Sequence, residues 1–502
     1  MRESGILMHI TSLPSSHGVG TLGKAAYEFV DFLEEAGQSY WQILPVTPTG
    51  YGDSPYQSCS TYAGNHYLID LDLLKAQGLL TEEEITAPDW GSRADRADFG
   101  KLYSSRLTVL RLAFDRFAES EKLDAFCREN SDWLSDFALF MALKEAHGGK
   151  PWYQWEDALK HRDPDALWQQ RQTLKEEIRF HSFVQYLFST QWEALRSYAH
   201  DRGVKIIGDV PIYVPLDSAD VWSNPELFWL DERLDPVAVA GCPPDGFNAD
   251  GQLWGNPLYL WEKHKLDGYG WWIRRMAAAG KRYDVVRIDH FRGFESYWAV
   301  PYGDETARNG QWLAGPGLTF IQALLEALPQ IRMIAEDLGF LTPEVLKMRD
   351  DSGLPGMKVL EFAFDAREPS DYLPHTYTSN TVCYTGTHDN MTMRQWLESA
   401  SEDALAYATE YMNLSQSEGL VWGAIRTVMA SVSDLCVVQM QDYLDLGGEA
   451  RMNFPGTQSS DNWTWRATPG YLKKGLAERI RRMTKLYGRE KETKQISGQQ
   501  SV

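Results

Sequence analysis

Eight short runs of apolar and β-branched residues recur along the chain, and each is followed by polar or turn residues. This pattern is typical of the buried strands of a parallel sheet, which lack the strict alternation of half-exposed strands. The runs are residues 5–10, 40–46, 204–214, 284–289, 331–337, 357–364, 381–389 and 435–445.

Helical patterns lie between most of these runs. Apolar residues fall at helical spacing in 24–36, a helix is predicted before the fifth run at 319–328, and another follows that run at 343–350. Strand–helix alternation repeated eight times favours a (β/α)8 barrel of the α/β class over an open sheet. We therefore expect one catalytic barrel that spans residues 1–502.

Two intervals between the runs are too long for simple crossovers. Residues 66–191 contain helical stretches such as 137–146, and we interpret them as an inserted, mainly helical subdomain. Residues 216–283 are rich in Pro, Gly and Trp and form a second insertion that would carry a loop of the substrate cleft. The polar tail 489–502 is expected to be frayed.

The net charge of the chain argues against one class of binding partner. The 502 residues include 49 Lys and Arg against 70 Asp and Glu, a net charge of −21. Proteins hold nucleic acids mainly through basic residues, so this balance argues against a nucleic-acid partner. No apolar run approaches the about 20 residues of a membrane span. Because the first residues do not resemble a signal peptide, we expect a cytoplasmic protein without a membrane partner, and a monomer.

Aromatic residues are abundant, at 13% of the chain with 19 Trp. Trp offers a large flat face and one polar group. Many of these side chains would fill the core, and some could stack on the apolar faces of sugar rings. The composition thus raises a carbohydrate hypothesis without proving it.

Several familiar motifs occur only in incomplete form. Residues 18–23 form a literal GxGxxG, but 11–17 separate it from the preceding strand and the next strand ends without an acid. A glycine loop leading into a helix explains it better than a dinucleotide site. The five Cys include no CxxC pair, residues 248–251 lack the Glu of a calcium loop, and neither HExxH nor GxSxG occurs. We expect no metal and no cofactor.

Acidic residues stand at the ends of three widely separated runs. Asp289 ends the fourth run, Glu336 lies near the end of the fifth, and Asp389 ends the seventh. The C-terminal ends of barrel strands surround one cavity, so the three carboxylates would face each other. Along the fourth run, alternation places Arg287 on the same side as Asp289. Each acid alone could be a helix N-cap or a loop residue, but the coincidence of three favours a shared site.

Asp209, in the third run, adds a fourth acid to this cavity. Its carboxylate could hydrogen-bond to a substrate or pair with Arg287. The pattern leaves both roles open.

Cleavage of a glycosidic bond needs several carboxylates and no metal. One carboxylate attacks the anomeric carbon, and another protonates the leaving oxygen. Arg287 would favour an ionised Asp289 as nucleophile, and Glu336, which shares its cavity with other acids, could retain the proton of a general acid. Asp389 could stabilise the oxocarbenium-like transition state or bind sugar hydroxyls.

The segments around these acids resemble motifs of the α-amylase superfamily, and the chain is similar to the 4-α-glucanotransferases (amylomaltases, or disproportionating enzymes). The matching segments are 50–56 (GYGDSPY), 208–214 (GDVPIYV), 243–258 (PPDGFNADGQLWGNPL), 287–293 (RIDHFRG), 335–339 (AEDLG), 387–390 (THDN) and 451–466 (RMNFPGTQSSDNWTWR). The resemblance covers nearly the whole chain, and the order and joint presence of the motifs are highly specific.

This resemblance implies a (β/α)8 barrel with insertions and no separate C-terminal β-domain. It implies transfer of α-1,4-glucan segments between maltooligosaccharides by a retaining double displacement, without an organic cofactor. The implied roles are nucleophile for Asp289, general acid/base for Glu336 and transition-state stabiliser for Asp389. The implied substrate-binding residues are Tyr56, which would stack at the subsite of the attacked sugar, Asp209, Trp254, Arg287, His388, Asn462 and Trp463.

Two structural expectations follow. Retention predicts that the carboxyl groups of Asp289 and Glu336 lie about 5–5.5 Å apart. Residues 248–255, which carry Trp254, are a candidate lid that excludes water from the reaction. Truncation of this loop would test the lid hypothesis through the ratio of transfer to hydrolysis.

Other functions stay open at this stage. An α-1,4-glucan hydrolase with the same three acids would release glucose without redistributing chains. A catalytically inactive glucan-binding protein would have no need of a complete acid set, and a nicotinamide enzyme would depend on residues 18–23.

Overall fold

The computed structural model describes residues 2–50, 52–244, 249–339, 341–365, 370–457 and 459–490. The strands in these ranges are β1 (Glu3–Leu7), β2 (Tyr40–Gln42), β3 (Lys205–Val210), β4 (Ala238–Cys242), β5 (Gln252–Pro257), β6 (Val285–Ile288), β7 (Ser296–Pro301), β8 (Gln311–Ala314), β9 (Arg332–Ala335), β10 (Gly356–Val359), β11 (Thr381–Tyr384) and β12 (Leu435–Gln439).

The helices in the same ranges are α1 (Lys24–Glu35), α2 (Leu71–Ala76), α3 (Glu82–Thr86), α4 (Phe99–Arg116), α5 (Ser120–Glu129), α6 (Leu134–Ala146), α7 (Asp157–Lys160), α8 (Pro164–Thr173), α9 (Lys175–Asp201), α10 (Ala219–Ser223), α11 (Trp261–Leu266), α12 (Gly270–Arg282), α13 (Leu318–Ala327), α14 (Pro343–Ser352), α15 (Met393–Ser399), α16 (Glu402–Met412), α17 (Leu420–Ala430), α18 (Met440–Tyr443) and α19 (Leu476–Leu486).

Eight strands form one parallel sheet in the order β10-β11-β12-β1-β2-β3-β6-β9. Each barrel strand pairs with the next barrel strand along the chain except at β9 and β10, and β12 pairs back to β1. At the remaining seam, the Ala335 N–H donates to the Pro355 carbonyl at 3.0 Å. The Asp337 carboxylate also accepts the Met357 N–H there, at 2.7 Å. The sheet is thus nearly closed, and the predicted barrel fold is confirmed.

Each of the eight predicted runs overlaps one barrel strand, although β1 and β10 begin before their runs, and the runs extend past the strands' C-terminal ends. The run 204–214 contains β3, which ends at Val210, and the run 435–445 contains β12 and then α18. The additional residues are apolar because the loops at this end pack over the barrel, as the burial of Ile212 and Tyr443 shows. Hydrophobicity reports burial and does not mark where the strand ladder ends.

Helices α2 to α9 lie between β2 and β3, and two Gln side chains of α9 fix the loop that enters this region. The Gln185 amide bonds to both backbone groups of Gly64, at 2.6 and 3.0 Å. The Gln191 amide does the same to Asp70, at 2.7 and 3.1 Å. None of the helices within the described ranges combines the length and apolar character needed to cross a membrane.

A second sheet, antiparallel and with the strand order β5-β4-β7-β8, was not predicted from the sequence. Two of its strands come from the interval 216–283, and two follow the barrel strand β6. The sequences AVAGC and QLWGNP of β4 and β5 contain Gly or Pro and lack a regular alternation. Strands of this kind carry no clear period-two signal.

The glycine motif at residues 18–23 is a close-packed turn before α1. A Cβ atom at Gly20 would collide with the Ile10 carbonyl, and one at Gly23 would collide with the Asp70 carboxylate. Asp70 also accepts a hydrogen bond from the Thr21 hydroxyl at 2.6 Å. Close approach of neighbouring groups therefore accounts for these glycines.

The expectation of a frayed tail from residue 489 is wrong at its first residue, and residues 491–502 lie outside the described residues. The Arg489 side chain is fully buried. Its guanidinium donates to the carbonyls of Met429 at 2.8 Å and of Glu3, Ser431 and Ser433 at 3.0 Å each. The planar fork of one arginine thus ties the C-terminal segment to the N-terminal side of β1 and β12.

Replacement of Arg489 by Ala is expected to lower the free energy of unfolding by about 2–4 kcal/mol, because four buried carbonyls would lose their donor. The free energy of unfolding of Arg489→Lys should fall between those of the original protein and Arg489→Ala, since an ammonium cannot reproduce the planar set of guanidinium donors. Urea unfolding would measure the loss. Arg482→Ala, an exposed position on α19, is the matched control, and equal stability of the two Ala variants would contradict the role of Arg489.

Candidate active site

The strand ladder itself positions two of the three predicted catalytic carboxylates. The Asp289 N–H donates to the Val210 carbonyl and the Glu336 N–H donates to the Ile288 carbonyl, each at 3.0 Å. Both acids are thus the first residues beyond β6 and β9, on neighbouring strands. Their backbones are still held by the sheet, so the two side chains leave the same rim of the barrel.

Arg287 lies between two acids. Its Nη1 contacts Asp209 Oδ2 at 2.6 Å and Asp289 Oδ1 at 2.9 Å. The register pairs Asp209 with Arg287 across β3 and β6, and alternation along β6 brings Asp289 to the same side. Both predicted contacts of Arg287 therefore follow from strand geometry. The guanidinium is almost fully buried, so its charge acts on Asp289 with little screening by water.

Asp209 pairs with the protein in this structure. Its Oδ2 accepts hydrogen bonds from Arg287 and from the Tyr56 hydroxyl, the latter at 2.8 Å. Its Oδ1 is buried and has no hydrogen-bond partner among the described residues. Burial raises the pKa of Asp209 to about 7, against the opposing effect of Arg287. Of the two roles left open by the sequence, the structure contains the pairing.

Glu336 is held by backbone donors. Its Oε2 accepts the His290 N–H at 2.6 Å and its Oε1 accepts the Leu338 N–H at 2.9 Å. Burial raises the pKa of Glu336 to about 8, against the opposing charge of Arg287; the nearby Asp289 charge adds to the rise, and the two backbone N–H groups also oppose it. Burial raises the pKa of Asp289 as well, and there too Arg287 opposes the effect. The two carboxyl groups differ in their direct partners, which are a guanidinium for Asp289 and backbone N–H groups for Glu336.

Sequence reasoning did not assign a role to His290. This residue adopts a left-handed conformation with φ of 53°, which directs its N–H to Glu336. Left-handed backbone is uncommon for residues other than Gly. The position inside the RIDHFRG segment was the only available signal.

Asp389 belongs to a loop after β11. The Asn390 side chain shapes this loop by accepting the Thr387 N–H and hydroxyl, at 2.9 and 2.8 Å. The Asp389 carboxylate accepts from Asn453 Nδ2 at 2.7 Å and lies 3.4 Å from His388 Nε2. Arg451 donates to the Asp389 carbonyl at 2.9 Å. Asn453 and Arg451 lie in the segment 451–466, which matches the family motifs, but they were not predicted as site residues.

Three of the predicted substrate-binding residues form an aromatic cluster. The Tyr56 ring stacks on the His388 ring with centroids 5.2 Å apart and an interplanar angle of 14°. Trp463 lies 5.8 Å from Tyr56 and 5.9 Å from His388. Burial lowers the pKa of His388. These rings line the side of the site next to Asp389.

Trp254 and Asn462 differ in what they contact. Trp254 lies on β5 with its ring edge-to-face against His290, at 4.8 Å between centroids, so it stands near Glu336. The Asn462 amide instead accepts the Phe454 N–H at 3.1 Å and donates to Thr457 at 3.2 Å. Asn462 thus fixes the loop that precedes Trp463. Of the predicted lid, Asn248 lies outside the described residues.

The charge within the site is supplied by the protein. Nowhere in the described part of the chain do three or more His, Cys, Asp or Glu side chains form a group that could hold a metal ion. The buried cation among the acids is Arg287. A pair of carboxyl groups beside a cation, one ionised and one protonated, can perform nucleophilic attack and general acid catalysis.

Comparisons with known proteins identify relatives over the whole length of the chain. A family model described as 4-alpha-glucanotransferase matches residues 8–472. The 4-alpha-glucanotransferase of Clostridium butyricum is 46% identical over 486 residues, which cover 96% of this chain and all of that protein. The one of Aquifex aeolicus is 47% identical over 493 residues, which cover 98% of this chain and all of that protein.

Solved structures agree with these relatives. The amylomaltase from Streptococcus agalactiae, solved in complex with acarbose, superposes with a TM-score of 0.95 at 43% identity, and the match covers 98% of this chain and all of that one. The amylomaltase from Corynebacterium glutamicum has a TM-score of 0.78 at 20% identity, covering 96% of this chain and 75% of that one, and shows the shared fold alone.

Two substitutions distinguish the contribution of the Tyr56 ring from that of its hydroxyl. Tyr56→Ala removes the ring beside His388, and we expect kcat/KM for maltotriose to fall by about tenfold or more, with little loss of stability. Tyr56→Phe removes only the bond to Asp209 and should cost no more than about threefold. Steady-state kinetics and thermal unfolding would measure both variants. A parallel loss of stability and activity in Tyr56→Ala would assign the ring to the core instead.

Proposed function

We propose a specific reaction for this chain, which belongs to the 4-alpha-glucanotransferase family and is an enzyme of that class. It transfers segments of α-1,4-glucan from a donor maltooligosaccharide to the 4-hydroxyl of an acceptor glucan or glucose. The reaction is a retaining double displacement through a covalent glucosyl-enzyme on Asp289. The unequal environment of Asp289 and Glu336 carries this proposal, since one carboxyl contacts a guanidinium and the other is held by backbone N–H groups and has a pKa of about 8.

In the first step, a carboxylate oxygen of Asp289 attacks the anomeric carbon of the donor. The bond from this carbon to the glycosidic oxygen breaks, and Glu336 gives its proton to that oxygen, so the donor's reducing-end segment leaves with a new 4-hydroxyl. Arg287 favours the ionised form of Asp289, against the effect of burial on its pKa, and aligns the carboxylate through a 2.9 Å contact. The raised pKa of Glu336 keeps its proton available near neutral pH.

In the second step, Glu336 accepts the proton of the acceptor's 4-hydroxyl. The resulting nucleophile attacks the same anomeric carbon, and the bond to Asp289 breaks. Two inversions give net retention and return both carboxyl groups to their starting states. Attack from opposite sides of one carbon requires a separation of about 5–5.5 Å between these groups.

Asp389 and the aromatic groups serve the sugar between the two steps. The Asp389 carboxylate, fixed by Asn453 at 2.7 Å, stabilises the positive charge of the oxocarbenium-like transition state. Tyr56 stacks on the attacked sugar, and Trp254, with the described lid residues 249–255, covers the acceptor side and excludes water. Exclusion of water is what separates transfer from hydrolysis at the glucosyl-enzyme.

Incubation with maltotriose tests the function directly. Transfer conserves the number of reducing ends and yields glucose together with a ladder of longer maltooligosaccharides. Hydrolysis by the same acids adds one reducing end per event and yields only shorter products. Chromatography combined with a reducing-end assay distinguishes the two, and unchanged maltotriose would contradict both.

Asp289→Asn and Glu336→Gln are each expected to abolish most turnover and leave the fold intact. The first variant lacks the nucleophile and the second lacks the acid. With an α-maltosyl fluoride donor, whose fluoride leaves without a proton, only Glu336→Gln should regain formation of the covalent maltosyl-enzyme. Trapping the covalent adduct by mass spectrometry would locate it, and near-normal rates for either variant would disprove the assignment.

The pH profile of kcat/KM should fall on its alkaline side near pH 8. The general acid must be protonated, and its raised pKa means that protonation is lost only as the pH rises through about 8. The acidic side reflects protonation of Asp289. With α-maltosyl fluoride the alkaline fall should disappear from the first step, and its persistence with that donor would exclude Glu336 as its source.

A further inference from the structure

Two side-chain amides join the loop of Tyr56 to the strand of Trp254. Gln57 Nε2 donates to Asn256 Oδ1 at 3.2 Å, and Asn256 Nδ2 donates to Gln57 Oε1 at 3.5 Å. The two amides thus satisfy each other in both directions, across 199 positions of sequence. We refer to this pair as the Gln57–Asn256 clasp.

The Gln57 end of the clasp is firmly held. The Gly50 N–H donates to the Gln57 carbonyl at 3.0 Å, and the Gln57 N–H donates to the Ser54 carbonyl at 3.1 Å. The Tyr56 N–H donates to the Ser54 hydroxyl at 3.2 Å. These bonds fix the backbone around Gln57, which is adjacent to Tyr56.

The Asn256 end lies where the strand is least constrained by its sheet. Leu253 pairs with Gly241 and Pro257 pairs with Val239, so three residues of β5 stand opposite one residue of β4. Gly255, in the middle of this irregular stretch, has φ of +77°. Irregularities of this kind redirect side chains and interrupt the ladder. The sheet alone therefore does not fix the direction of Trp254.

Asn256 is nevertheless 4% exposed. A buried amide without partners is costly, and the two donors and the carbonyl of Asn need specific neighbours. Gln57 supplies one donor and one acceptor to it. Within the described residues, neither amide bonds to Asp289, Glu336 or Asp389, and the clasp residues lie within two positions of Tyr56 and Trp254 along the chain.

From this geometry we infer that Gln57 and Asn256 are positioning residues that determine acceptor specificity. The clasp sets the spacing between Tyr56 and Trp254, and this spacing decides whether a sugar hydroxyl or water reaches the glucosyl-enzyme. The inference rests on the proposed transfer reaction and assigns a cause for its preference over hydrolysis. Since neither amide ionises, the effect of the clasp on the preference for transfer over hydrolysis is independent of pH.

Gln57→Ala is the primary test because Gln57 is half-buried on a loop and its loss leaves the sheet intact. We expect the ratio of transfer to hydrolysis with maltotriose to fall by about three- to tenfold, the range expected for a lost hydrogen-bond pair. Cleavage of the donor should change less, since the catalytic carboxylates keep their contacts. KM for an added acceptor, glucose, should rise while kcat for donor cleavage stays within about twofold.

A double-mutant cycle isolates the pair from the two side chains. Asn256→Ala should reproduce the effect of Gln57→Ala, and the double variant should add little to either. The exchanged variant, Gln57→Asn with Asn256→Gln, conserves the number of methylene groups between the backbones and should recover part of the ratio. Gln311→Ala, at an exposed position on β8 of the same sheet, is the control and should match the original protein.

The outcomes separate this inference from the proposed function. If the original protein transfers and Gln57→Ala keeps the same ratio, the clasp has no such role. Additive effects in the double variant would likewise overturn it. If the original protein only hydrolyses maltotriose, the proposed function fails first. Thermal unfolding of Gln57→Ala close to that of the control excludes a general loss of structure as the cause.

Discussion

The buried guanidinium of Arg287 is the contact around which the site is arranged. One nitrogen, Nη1, lies within 2.6 Å of Asp209 and 2.9 Å of Asp289. An unpaired charge at this depth would be strongly destabilising, and so would either carboxylate without its cation. The three groups therefore stabilise one another. The cation favours the ionised form of the two acids in the barrel interior, and the acids stabilise a guanidinium that the apolar interior would otherwise exclude.

The barrel makes this arrangement rigid because the contacts arise from register. Asp209 and Arg287 are paired residues of adjacent strands, and the backbones of Asp289 and Glu336 continue the ladder beyond its last strand residues. Glu336 then receives two backbone N–H groups and no guanidinium contact among the described residues. The same rim thus gives two carboxyl groups, a single strand apart, different direct partners, which suits the proposed division into one nucleophile and one acid.

The sequence predicts the parts that depend on periodicity and fails where tertiary contacts replace it. Eight apolar runs were sufficient to predict the barrel, and acids at strand ends were sufficient to place Asp289 and Glu336 at one rim, because strand ends have a fixed place in this fold. The antiparallel sheet carries no period, and the roles of His290 and Asn453 depend on a left-handed backbone and on a loop 64 positions from Asp389. Arg489 appears in a polar tail, where nothing local indicates burial. Asn462 resembled a cleft residue, but its amide is used to shape the loop.

The three carboxylates also differ in how firmly they are held, and this difference matches their proposed tasks. The Asp289 side chain is 27% exposed and the Asp389 side chain is 44% exposed. In the proposed reaction Asp289 attacks the anomeric carbon from one direction, and the strand ladder and Arg287 restrict the position of its side chain. Asp389 stands on a loop, where the Arg451 guanidinium donates to its backbone carbonyl and the Asn453 amide donates to its carboxylate. A group that stabilises a charge spread over the sugar ring tolerates such freedom better than a group that must form a bond. The support by a separate loop therefore suits a carboxylate that adjusts to the sugar while the two strand-held groups carry out the displacement.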